Sequence, residues 1–333
     1  KNPKPFGGVQ MLYIGDLFQL PPVAKEEDWN LLKEHYRNTF FFEAHAIKET
    51  RPVYLEFKTV YRQGDEEFVN LLNHIRNNEV NDDDLYRLEK LYNPRFKPKA
   101  EDNYIILTTH NYKADRINDR KLAELTTPVR IFTGKITDDF PEYALPTDLM
   151  LRLKVGAQVM FIRNDTEEPR RYYNGKLAVV SKITDEEVYV SIPGQEGEDI
   201  LVEEEIWENR RFILNRESGE IETEILGSFT QYPIRLAWAV TIHKSQGLTF
   251  DKAIIDAGAA FAPGQTYVAL SRCTSLDGIV LYSRIHPGCI MTDREALEFS
   301  KDEKQPEELL DLFSDGRRKH QVERLLQYFN LKP

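Results

Sequence analysis

From Ala237 to Val240 the chain is apolar at every position, and the run closes on Thr241-Ile242-His243-Lys244-Ser245-Gln246-Gly247. A second apolar run, Ala253-Ile254-Ile255-Asp256, follows soon after. Short apolar runs without polar alternation belong to strands buried on both faces. Tyr104-Ile105-Ile106-Leu107 repeats the pattern. It meets Thr108-Thr109-His110-Asn111, and a helical spacing follows with Ala114, Ile117 and Leu125 inward. Strand, polar loop and helix in this order build a doubly wound α/β sheet, which binds ligands at the carboxyl ends of its strands. Hydroxyls, an imidazole and an ammonium gathered at such an end suit a phosphate-tracking surface.

Upstream, Val9 to Ile14 reads as a buried strand entering Gly15-Asp16, and Pro21-Pro22 bars a helix. Asp28 is placed to cap a short helix reaching Arg37, and Val53 to Phe57 reads as a strand. Asp65 caps a helix carrying Phe68, Leu71, Leu72 and Ile75, and Asp82 caps a second carrying Leu85, Leu88 and Leu91. After Leu153 the segments Val159–Ile162, Leu177–Ile183, Val188–Ile192 and Ile200–Val202 are short and β-rich. Phe212–Leu214 and Glu222–Ile225 flank Ser218-Gly219 as a hairpin. This reads as a small barrel set into the α/β domain. The α/β pattern resumes from Leu236, and the charged helical tail carries Leu309, Leu310, Leu312 and Phe313 as its apolar stripe.

At 333 residues, two or more domains are expected. No apolar run approaches the ~20 residues of a membrane-spanning helix, and no signal-peptide pattern is present. Cys273 and Cys289 are too few for a disulfide framework or zinc cluster and read as reduced packing residues. The net charge of −11 argues against a protein that coats nucleic acid, but leaves room for a narrow basic track. Asp82-Asp83-Asp84 and Glu203-Glu204-Glu205 read as solvated acidic faces, and no metal site is assigned. Trp238 reads as core. Tyr172, Tyr173 and Trp207 are left unassigned between base stacking and packing.

Four blocks in order resemble motifs of superfamily-one helicases, nearest to the petite integration frequency (PIF) family and its RecD-like relatives. They are Gly15-Asp16-Leu17-Phe18-Gln19-Leu20-Pro21-Pro22-Val23, Val60-Tyr61-Arg62-Gln63, the Thr241–Gly247 run, and Tyr267-Val268-Ala269-Leu270-Ser271-Arg272. The resemblance implies two RecA-like motor domains, ATP with Mg²⁺ held between them, and 5′→3′ translocation on single-stranded DNA toward duplex junctions. It implies roles in DNA repair, recombination and telomere maintenance. The implied location is cytoplasmic, or nuclear or mitochondrial in a eukaryote, and the implied state is a monomer. An SH3-like barrel is implied at 165–232. Residues 1–50 would end the first motor domain, 51–164 and 233–290 would form the second, and 291–333 a helical tail.

By this resemblance Gln19 senses the γ-phosphate or the attacking water, while Arg62 and Arg272 stabilise the transferred phosphoryl group. The plain alternatives are a polar loop residue and surface arginines, Arg272 complementing a helix dipole. Gly15, Asp16, Gln246 and Gly247 are nucleotide-side candidates. Thr241, His243, Lys244 and Ser245, with Thr109, His110 and Asn111, are candidates for DNA contact. Caps, back-bonded hydroxyls and turn chemistry explain the same residue types, and the sequence does not divide 241–247 between the two ligands.

A P-loop needs G-x-x-x-x-G-K-[ST]. The Gly-Lys pairs here, Gly134-Lys135 and Gly175-Lys176, are followed by Ile136 and Leu177, so neither fits. A strand ending in the Asp-Glu pair that would hold Mg²⁺ and water is missing too. The chain, which starts at Lys1, therefore reads as a piece of a longer protein carrying the trans-acting half of an ATP site, inactive alone. The rival readings are a non-catalytic nucleic-acid-binding module from a decayed helicase, and a RecD-like or relaxase-linked helicase subunit.

Overall fold

A computed structural model of the chain describes residues 3–99, 102–195, 197, 199–214, 220–304 and 306–328. Its helices are α1 (Glu26–Leu32), α2 (His45–Glu49), α3 (Glu66–Asn77), α4 (Asp82–Lys90), α5 (Asn111–Glu124), α6 (Gln265–Ser271), α7 (Arg294–Ser300) and α8 (Pro306–Tyr328). The first seven strands are β1 (Ile105–Thr108), β2 (Arg130–Thr133), β3 (Lys135–Asp138), β4 (Met150–Leu153), β5 (Gln158–Phe161), β6 (Leu177–Ile183) and β7 (Val188–Ser191). The rest are β8 (Ile200–Val202), β9 (Glu205–Leu214), β10 (Ile221–Gln231), β11 (Ile234–Leu236), β12 (Ala239–Thr241), β13 (Ala253–Asp256) and β14 (Ile279–Leu281).

The apolar runs form one parallel sheet in the order β12-β1-β13-β14. Side-chain alternation sends Ile105, Leu107 and Ile255 to one face, where they pack with Phe68, Leu71 and Ile75 of α3 and Val268 and Leu270 of α6. Ile106, Ala239 and Ile254 face the other way, against Ala114 and Ile117 of α5. Helices thus cover both faces, which is why the strands read as unbroken apolar runs. Asp65 caps α3 as expected, accepting from Glu67 N. The cap of α4 is Asn81, not Asp82: Asn81 and Asp84 bond reciprocally across the first turn. Asp84 is buried against His74 Nδ1 at 2.7 Å, so that part of the acidic run is not a solvated face.

β12 and β13 flank β1, so the segment joining them crosses the carboxyl end of β1. That crossover is the Thr241–Gly247 run, set at the point where strand order switches.

The β-rich region assigned to 165–232 forms antiparallel sheets, and its pairing reaches further. A five-stranded sheet runs β11-β5-β6-β7-β8, and a ribbon runs β3-β10-β9. β5 and β11 lie outside 165–232 yet carry core residues Val159, Phe161 and Ile234. The hairpin of β9 and β10 pairs as expected, while Ser218-Gly219 lies outside the described residues. Tyr172 is buried and stacks on Phe161 at 3.6 Å; Trp238 packs partly buried against this core.

Two expected strands do not form. Val9 to Ile14 and Val53 to Phe57 have no regular secondary structure and no ladder partner among the described residues, and Ile14 and Phe57 are exposed. Apolar character alone makes no strand, because a strand requires a neighbour to take its backbone hydrogen bonds. α1 starts at Glu26, with three acidic residues in its first turn, rather than at a cap on Asp28, and ends before Arg37. The apolar stripe of α8 lies open, with Leu310, Leu312 and Phe313 exposed. Both cysteines are buried and unbridged. No helix among the described residues is long and apolar enough to cross a membrane.

Candidate functional site

Gly264 precedes α6 at φ +74°, where other residues are strained. A Cβ there would stand 2.4 Å from Phe18 O and 2.6 Å from Gln19 O. The close approach of these backbones brings the Gly15–Leu20 loop onto the first turn of α6. The result is a cleft of about 240 Å³ lined by Asp16, Gln19, Arg62, Gln63, Tyr267 and Arg272, among others.

Asp16 organises one wall. Its Oδ1 accepts from Phe18 N at 3.1 Å, and its Oδ2 from Gln19 Nε2 at 3.1 Å and Tyr267 Oη at 3.3 Å. Burial, reinforced by Asp16, pushes the Tyr267 hydroxyl up to about 12, so it stays a proton donor. Arg76 lies over the Phe18 ring at 4.1 Å and pairs with Glu56 at 2.7 Å. Gln19 Oε1 accepts from Gln246 Nε2 at 3.1 Å, which ties the cleft to the crossover.

Arg272 makes the other wall. It follows the last residue of α6 and is 1% exposed, so it is not a surface arginine. Its Nε donates to Val268 O at 2.9 Å, one terminal nitrogen to Leu248 O at 3.4 Å and the other to Ser271 Oγ at 2.8 Å. No carboxylate pairs with it among the described residues. Burial, then the neighbouring Arg62, draws its pKa down to about 10, so it remains cationic at neutral pH. A buried cation without a counter-ion is costly, and such sites are candidates for anion binding. Arg62 donates to Ser271 O at 3.0 Å. Gly15 is exposed with open space around it, and Gly247, also exposed, sits at φ +83°.

The second set of candidates gathers at the ends of β1 and β12, where Thr108 and Thr241 are in register and Ile242 N donates to Thr108 O at 2.9 Å. The structure divides this set. Thr109, Thr241 and Ser245 are buried and bonded locally: Thr109 Oγ1 to His110 Nδ1 at 2.7 Å, Thr241 Oγ1 from Lys244 N at 3.4 Å, and Ser245 Oγ to Ile242 O at 2.8 Å. Asn111, His243 and Lys244 are exposed, and His110 is half-buried. Burial lowers the pKa of His243, keeping its imidazole neutral at pH 7. Burial, then Arg235, lowers that of Lys244.

Sequence reasoning passed over several residues here. Gln63 and Tyr267 lay within motifs already singled out. Arg76 sits on α3 and had no local signal. Phe261 is exposed, with its ring 5.2 Å from that of His110 and 6.3 Å from that of His243.

No family model matches the chain. The structure of unliganded Pif1 from Bacteroides sp. superposes with a TM-score of 0.77 at 42% identity, covering 90% of this chain and 68% of that one. The chain belongs to the Pif1 family of DNA helicases. The Campylobacter jejuni Pif1 helicase is 32% identical over 82% of the chain, and the human PIF1 helicase 33% over 89%. The chain spans 63% and 44% of those two Pif1 proteins. Structures of Bacteroides Pif1 have been determined bound to ssDNA and in complex with ADP-AlF4.

Proposed function

We propose that this chain supplies the second motor domain, and the end of the first, of an ATP-dependent 5′→3′ DNA helicase acting on single-stranded DNA at duplex junctions. The observation that carries this reading is the buried Arg272 guanidinium, in no ion pair among the described residues, on a cleft shared with Arg62 and Gln19. The donor set fits the terminal phosphate of ATP: guanidinium N–H groups for the oxygens and a Gln amide for an attacking water. Mg²⁺ would come with the nucleotide, and Asp16, already engaged by protein donors, would shape the loop beside it. Gln246 and Gly247 would lie on the nucleotide side. His243, Lys244, His110 and Asn111 would meet the DNA strand, with Thr109, Thr241 and Ser245 shaping their loops.

The Gln19–Gln246 hydrogen bond supports coupling between the two sites, because a shift of the first loop displaces the crossover that carries His243 and Lys244. Domain closure around the nucleotide would use that link. The test is Arg272→Ala in an ATP-hydrolysing form of the protein. DNA-stimulated turnover falls ~10³-fold, the scale of an arginine finger, while single-strand affinity changes little. Turnover near the wild-type rate refutes the reading and makes Arg272 a helix-end residue of the fold rather than a phosphate-binding one.

A further inference from the structure

α6 ends at Ser271, and the last carbonyls of a helix have no intrahelical partner. Here the final one, Ser271 O, is held by two neighbouring side chains, Arg62 at 3.0 Å and Gln63. Gln63 is 7% exposed, and its Nε2 donates to Ser271 O at 3.2 Å and to Cys273 O at 2.7 Å. These are the carbonyls immediately before and after Arg272. The carbonyl of Arg272 itself accepts from Phe250 N at 2.9 Å. All three peptide oxygens around the guanidinium-bearing residue are therefore held, and Gln63 bridges the two that flank it, sharing Ser271 O with Arg62.

The site calls for a neutral amide. An ammonium at position 63 would add a cation beside Arg62 and Arg272. A carboxylate would face two carbonyl oxygens and would offer Arg272 a counter-ion in competition with phosphate. Asn is one methylene short of bridging both oxygens, and an apolar side chain removes the bond to Cys273 O and leaves Ser271 O to Arg62.

We propose that Gln63 is a positioning residue: by clamping the backbone on both sides of Arg272, it holds that guanidinium at the cleft in the geometry phosphoryl transfer needs. The inference rests on the cleft being the ATP site, and its test separates the two claims. In an ATP-hydrolysing form of the protein with single-stranded DNA, Gln63→Met lowers kcat roughly tenfold while KM for ATP stays within about twofold. Gln63→Glu, of the same shape, falls at least as far. The double variant Gln63→Met/Arg272→Ala is no slower than Arg272→Ala alone, because a residue that acts through Arg272 has nothing left to position. Independently of activity, hydrogen exchange of the amides across 268–275 quickens in Gln63→Met while that of β13 is unchanged. If Gln63→Met does not fold, Gln63→Asn, which can keep one of the two bonds, carries the same comparison. A Gln63 variant with normal kcat, where Arg272→Ala is dead, overturns the positioning role alone. So do multiplicative effects in the double variant. Normal turnover in Arg272→Ala overturns both claims.

Discussion

Lys244 and Gly264 show how single residues set the two surfaces. Lys244 is exposed on the crossover of an acidic chain, so any affinity for DNA must come from such local cations. Lys244→Ala should reduce the log–log salt slope of single-strand binding by about 0.7, similarly for every base sequence. A salt titration of a labelled oligonucleotide reads this, and an unchanged slope would remove Lys244 from the DNA face. His243→Ala should weaken binding with a smaller slope change, since its imidazole is neutral at pH 7. Gly264→Ala introduces left-handed strain of about 1–2 kcal/mol and drives a methyl into the backbone of Phe18 and Gln19. It should lower the melting temperature and separate the Gln19 loop from α6. A melting temperature equal to wild type would show that this contact is not needed.

At the scale of elements, the loop joining β5 to β6 depends on one carboxylate. Asp165 accepts from Arg171 Nε at 2.8 Å and from Arg171 N at 2.9 Å, and these bonds lower its pKa from 3.8 to about 2. A depressed carboxylate stabilises the fold above its ordinary pKa and loses that contribution as pH falls through the folded value. Asp165→Asn should therefore cost about 2 kcal/mol at pH 7, and the gap should close between pH 4 and pH 2. Denaturation of both proteins across that window checks it; a constant gap would point to lost packing instead. The ribbon of β9 and β10 offers the opposite case. Beyond the pairing of Asn209 with Gly227 it has two strands, and Phe212, Leu214, Ile221 and Ile225 are exposed. Replacing 210–225 by a short turn should leave the melting temperature within about 2 °C. Excising 165–232 would instead strip β6, β7 and β8 from Val159 and Phe161 and expose their core.

For the whole molecule, the sequence holds no P-loop, and the cleft offers guanidinium groups but no glycine-rich cradle for the phosphates. The 333-residue chain alone is expected to show no DNA-stimulated ATP turnover. A steady-state phosphate-release assay decides this, and measurable turnover would mean that the nucleotide is held in another way. The irregular apolar segments Val9–Ile14 and Val53–Phe57 belong to the same scale, since only a neighbouring strand could turn them into sheet.

The sequence by itself determined the parallel sheet, its two helical layers and the residues at the strand ends, because unbroken apolar runs and i, i+3, i+4 spacing are local patterns. Through their motifs it also pointed to Arg62, Gln19 and Arg272, which line one cleft. It did not reveal that Arg272 is buried with no carboxylate paired to it among the described residues, that Gln63 clamps both sides of it, or that Gly264 admits the Gln19 loop. Nor could it divide the Thr241–Ser245 run into buried hydroxyls and an exposed imidazole and ammonium. Those facts depend on residues distant in sequence, such as Gln63 and Cys273, meeting in space. Distances, burial and charge at such meetings exist only once the chain has packed.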